Sequence, residues 1–115
     1  MMKKLVMTGP APVFRTLAEA IQKYADAAYP PGGSECAQSA REGLLDTARS
    51  IFQQVNENYQ DVIISRRIKS HVKAAIQYYV QLSMELEIEQ DVATRRSELM
   101  LELLNGAPVQ EQQWP

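Results

Sequence analysis

One cysteine, one histidine and one tryptophan, Cys36, His71 and Trp114, stand in a chain of 115 residues. A lone cysteine excludes an internal disulfide and offers a metal ion a single thiolate, which points to a reducing compartment. No Cys-x-x-Cys, His-x-x-x-His or Glu-x-x-His spacing occurs, so a structural zinc site or a di-iron site lacks its ligands. The acids Glu85, Glu87, Glu89 and Asp91 lack the central glycine of a calcium loop. Neither a metal nor another cofactor is expected. No apolar run approaches the roughly 20 residues that span a bilayer. The leading Met1-Met-Lys-Lys-Leu-Val-Met7 meets Gly9 and Pro10 before a signal-peptide core develops. The expectation is a cytoplasmic protein that makes no use of a membrane.

Hydrophobic residues make up 45% of the chain and charged residues 23%, the balance of a globular protein rather than a disordered one. Its length suits one domain over residues 1–115, with flexible ends expected at about 1–10 and 107–115. The net charge of -2 argues against bulk attraction to nucleic acid. That total hides blocks of alternating sign. Residues 1–34 carry +2, 35–64 carry -3, 65–75 carry +4 and 76–115 carry -5. Such alternation suits self-association or an acidic partner as well as docking within the chain.

With five glycines and six prolines, the few strong breaks carry weight. Apolar residues from Val13 to Ala28 recur at three- and four-residue steps and predict a first helix from about Pro12 to Ala28. Tyr29-Pro-Pro-Gly-Gly33 ends it. Ser34 then suits the cap of a second helix, with Glu35 in the first turn where a carboxylate meets free backbone N–H groups. That helix has the stripe Ala37, Ala40, Leu44, Ala48, Ile51 and Val55, extended to Tyr59 and Val62 if it continues. Asn56 to Asp61 is the weakest point of the long helical region, and Asn58 or Asp61 could cap a new helix there. Asn105-Gly106 with Pro108 beyond is the expected final stop.

From Ile64 the apolar pattern becomes nearly heptad. Val72, Tyr79, Leu86, Ala93 and Met100 are spaced by seven, with Ile68, Ala75 and Leu82 as the companion series. This is the expected helix–helix interface. Residues 80–88 also alternate apolar and polar, but Met, Glu, Leu and Gln favour helix there. The expected fold is all-α: a small helical bundle, or a long antiparallel helical hairpin with a short N-terminal helix. The length of the seam adds an expectation of coiled-coil packing and of a homo-oligomer that buries it.

The sharpest chemical feature is Arg66-Arg67-Ile68-Lys69-Ser70-His71-Val72-Lys73, with no acid from Ser65 to Ser83. On one helix, Arg66, Lys69 and Lys73 would share a face opposite Ile68, Val72 and Ala75, with Arg67 and His71 at the side. That arrangement offers cations to phosphates, carboxylates or an acidic protein, and equally suits a solvated face beside acidic helices. Cys36 would lie in the first turn of its helix, where a thiol is activated, with His71 as the sole candidate base; packing as a small hydrophobe is the plainer reading. Pro30-Pro-Gly-Gly-Ser34 reads as an anion nest or as a rigid turn, and it lacks the lysine of a phosphate-binding loop. The five tyrosines show no interleaving with basic residues of the kind that binds single strands; Tyr79 falls on the seam and Tyr78 off it. Trp114, in a polar tail, either folds back on the bundle or anchors a partner.

The turn Tyr29-Pro-Pro-Gly-Gly-Ser-Glu35 and the alanine-rich helix after it resemble small helical-hairpin proteins of phages that sequester nucleotide immune signals. The resemblance covers about 25 residues, implies ligand sequestration, and carries no ligand residue onto this chain. The residues themselves predict a non-catalytic protein that works by protein–protein association, as an oligomeric adaptor or inhibitor. The alternative is binding of a phosphate-bearing ligand or nucleic acid through Arg66, Arg67, Lys69, His71 and Lys73.

Overall fold

The computed structural model describes residues 3–115. In chain order it runs β1 (Lys4–Gly9), α1 (Ala11–Ala28), α2 (Glu35–Gln54), β2 (Gln60–Ser65), a 3-10 turn (Arg66–Ile68), α3 (Lys69–Glu85), α4 (Gln90–Leu104) and a last 3-10 turn (Glu111–Gln113). Four helices and one antiparallel strand pair form the bundle. Pro12 sits in the first turn of α1, where its missing N–H is harmless. Ser34 caps α2 by accepting a hydrogen bond from the N–H of Ala37 at 3.2 Å, and Glu35 occupies its first turn as expected.

Between Asn56 and Asp61 the chain turns into a strand rather than capping a new helix. β1 pairs with β2 from Lys4↔Ser65 to Gly9↔Gln60. Leu5, Met7, Val62 and Ile64 face the core, whereas Val6 and Ile63, opposite one another, face out. Tyr59 and Val62 therefore leave the α2 stripe: Tyr59 is exposed before the strand and Val62 is buried within it. Residues 4–9, expected in a flexible end, thus belong to the sheet, and Met1 and Met2 lie outside the described residues. At the other end Val109 is buried and its N–H donates to the Thr8 carbonyl at 3.0 Å, covering part of the free edge of β1. The free edge of β2 is occupied by Gln54, whose side chain exchanges hydrogen bonds of 2.7 and 2.8 Å with the backbone of Ile63.

The seam is buried inside one chain. α3 stops at Glu85, and Leu86 to Glu89 reverse the chain into α4, which packs back on α3. Val72, Ala75, Tyr79, Leu82, Ala93 and Met100 are core residues, Ile68 packs partly against them, and Leu86 lies exposed at the turn. The 80–88 segment is helical through Glu85. The expected coiled coil is therefore corrected to a compact globular bundle. Its radius of gyration is 13.6 Å, against about 13 Å for a folded chain of this length. An unbroken helix over residues 35–104 would have been about 105 Å long, whereas the longest dimension is 42 Å.

The two helix ends around this hairpin use the same hydrogen-bond pattern with different residues. At the end of α3 the N–H of Ile88 donates to Ser83 and that of Glu87 to Met84, with Glu87 left-handed at φ 57°. At the end of α4 the N–H of Ala107 donates to Glu102 and that of Gly106 to Leu103, with Gly106 at φ 92°. Glycine takes that conformation freely and glutamate does not.

A basic groove between two helices

α2 approaches the start of α3 closely because it presents small residues there. A Cβ on Gly43 would lie 3.3 Å from Cδ1 of Ile68. Above this contact lies an open groove of about 520 Å³ between α2 and the 3-10 turn leading into α3. Ala40, Gly43 and Ile68 make its apolar part, Ser39, Thr47 and Ser65 supply hydroxyls, and Arg67 and His71 form the cationic side. Cys36, exposed, lines the same groove. Its place in the first turn of α2 thus brings it into one groove with His71, though no hydrogen bond joins them among the described residues.

The basic segment is not one helix face, as its sequence implied. Arg66 and Arg67 sit in the 3-10 turn because β2 runs to Ser65, whose hydroxyl accepts from the N–H of Arg67 at 3.3 Å. The helix begins only at Lys69. Arg67 and His71 line the groove, whereas Arg66, Lys69 and Lys73 lie beyond its lining. His71 meets the ring of Tyr29 edge-on at 6.0 Å. Tyr29 in turn packs against Tyr24 at 6.2 Å, and Tyr24 against Tyr78 at 5.7 Å, so Tyr78 belongs to a row of rings joining α1 to α3. The Tyr24 phenol is held above its ordinary value of 10.0, first by burial and then by Tyr29 beside it.

The seven arginines divide by what they touch. Arg15 pairs with Glu57, Arg49 with Asp46 and Arg95 with Glu98. Arg41 pairs with Asp26 at 2.9 Å and donates to the Tyr29 carbonyl at the end of α1. Arg96 donates to the Tyr79 hydroxyl at 3.2 Å and to the Pro115 carbonyl at 2.8 Å, and it stacks over Trp114 at 5.1 Å. Only the side chains of Arg66 and Arg67 have no such partner among the described residues. A second cavity of about 570 Å³ between α1 and α2 differs in this respect, since its arginines, Arg41 and Arg49, are both paired.

Three other sequence features find their places here. Trp114 is half-buried beneath Arg96. With its amide oxygen turned to the loop, Gln38 accepts from Gly32 at 2.7 Å and Gly33 at 3.1 Å, so the glycine N–H groups of the suspected nest already have an acceptor. Among the described residues no three His, Cys, Asp or Glu side chains gather to hold a metal ion, and no helix is long and apolar enough to cross a membrane. The groove escaped sequence reasoning because its walls come from segments some 25 residues apart; the small-residue spacing Cys36, Ala40, Gly43, Thr47 was its only local signal. Comparison with protein-family models, curated proteins and solved structures finds no match for this chain.

Proposed function

We propose that this small globular helical domain is non-catalytic and works by protein–protein association, receiving an acidic segment of its partner along the groove between α2 and α3. The partner's activity would be blocked or redirected by that contact, as with an inhibitor or adaptor. The observation that carries the reading is the division of the arginines: five have partners within the chain, and of the two left over Arg67 lines the groove while Arg66 precedes it in the 3-10 turn. Guanidinium groups make paired hydrogen bonds to carboxylates, and the apolar part of the groove suits side chains between the acids. A protein segment is favoured over nucleic acid because the groove lining includes no tyrosine, phenylalanine or tryptophan to stack a base, and the whole chain carries -2. A reducing compartment such as the cytoplasm suits the exposed Cys36 thiol.

The test is fluorescence anisotropy with a labelled peptide of alternating glutamate and leucine, alongside a single-stranded oligonucleotide, at about 50 and about 200 mM salt. Peptide binding that is lost in the Arg66→Gln/Arg67→Gln variant is the expected result. Binding of the oligonucleotide instead, falling steeply with salt, would replace this reading with the phosphate-bearing ligand. Binding of neither would overturn both.

A further inference from the structure

The groove has an acidic and apolar counterpart on the same molecule, at the opposite end of α3. Met84 is 77% exposed and Leu86 37% exposed, and they alternate with Glu85 and Glu87 in the turn to α4. Glu89 follows at the cap of α4. None of these three acids has a cationic partner among the described residues. The turn therefore displays apolar and acidic groups together, the complement of what Arg67, His71, Ala40, Gly43 and Ile68 present in the groove and Arg66 next to it in the 3-10 turn.

The two ends cannot meet within one chain. α3 has 17 residues, and at about 1.5 Å per residue it holds them about 25 Å apart on one rigid rod. We propose that the occupant of the groove is a second copy of this chain, entering with its α3–α4 turn. Met84 and Leu86 lie along the apolar part, and Glu85 and Glu87 meet Arg67 in the groove lining and Arg66 beside it in the 3-10 turn. This rests on the reading of the groove as a receptor for acidic protein segments. The contact is head-to-tail, so a joined pair still has one free groove, on one copy, and one free turn, on the other, and the assembly grows in a row rather than closing as a dimer. One turn in one open groove is a small interface, which places the association in the weak, concentration-dependent range and makes it sensitive to salt.

The test is sedimentation velocity on the full chain from about 10 μM to about 1 mM. The weight-average mass is expected to rise past twice the 13.0 kDa chain mass at about 50 mM salt and to fall back at about 200 mM. Arg66→Gln/Arg67→Gln and Glu85→Gln/Glu87→Gln alter exposed side chains, and each alone should remain monomeric. Mixed in equal amounts they should form a complex of two chains and no larger, because one variant keeps its turn and the other its groove. A wild-type chain that stays monomeric at about 1 mM overturns the proposal, as does a mixture that stays monomeric or grows beyond two. If the glutamate–leucine peptide still binds when self-association is absent, self-docking fails and the groove reading stands. Loss of both removes the groove reading as well.

Discussion

Replacing Glu87 by glycine should stabilise the protein, and the two similar helix ends allow the size of the effect to be worked out. A left-handed conformation disfavours an L-residue by about 1–2 kcal/mol, and Glu87 holds φ 57°. Glycine removes that strain but gives back about 0.5–1 kcal/mol through the greater freedom of its unfolded chain. Removing a carboxylate from beside the C-terminus of α3 adds about 0.3 kcal/mol at an exposed position. The net expectation for Glu87→Gly is about 1 kcal/mol, or a rise in Tm of about 4 °C for a domain of this size. Glu87→Ala removes the charge and keeps the strain, so it should gain only about 0.3 kcal/mol. Gly106→Ala should lose about 1 kcal/mol, and a Cβ there meets nothing within 4 Å, so the loss is one of backbone conformation. Urea unfolding of the three variants with a shared m value is the assay. A Glu87→Gly variant no more stable than Glu87→Ala would refute the strain argument.

Leu17 is fully buried in α1, so Leu17→Ala should destabilise by about 2–5 kcal/mol through lost transfer energy and the cavity left behind, read by the same urea titration. Arg96→Gln should release the tail, and the emission of Trp114, the sole tryptophan, should shift to the red while far-ultraviolet circular dichroism stays unchanged. Because the folded Tyr24 phenol titrates above 10.0, the unfolded chain loses that proton first as pH rises. Stability is then full below 10.0 and falls as pH climbs toward the folded value. Tyr24→Phe should flatten this alkaline loss, measured as Tm across that range.

Local chemistry was legible in the sequence where one or two residues decide it. The first helix is expected from Pro12 and begins at Ala11; Ser34 caps α2; Asn105-Gly106 ends α4. The strand pair was illegible because its evidence is not local. Lys4-Leu-Val-Met7 and Val62-Ile-Ile64 are too short and too uniformly apolar to separate strand from helix, and their pairing joins residues more than 50 apart. The α3–α4 turn was hidden for another reason. Glu87 occupies a position where glycine is the usual signal, so the seven-residue series runs through a reversal of the chain with nothing to mark it. The seam itself is helix packing, satisfied between α3 and α4 of one chain rather than between chains.

That concealed turn bears on function as well as on fold. Where a sequence breaks a local rule, the fold is expected to show either a compensating contact or a surface with another use. At the end of α3, Glu85 and Glu87 sit where the helix dipole disfavours negative charge, Glu87 is strained, and Met84 lies open to water. No cation within the described chain compensates them. At the other end of the same helix, Arg66 and Arg67 are adjacent like charges, again without an acid, beside a groove with an apolar part. Both exceptions lie at the ends of α3 and are opposite in charge, and a contact between copies would relieve each with the other. If so, separate neutralisation at the two ends should stabilise the isolated chain slightly while abolishing its association. That pair of effects distinguishes residues kept for binding from residues kept for folding.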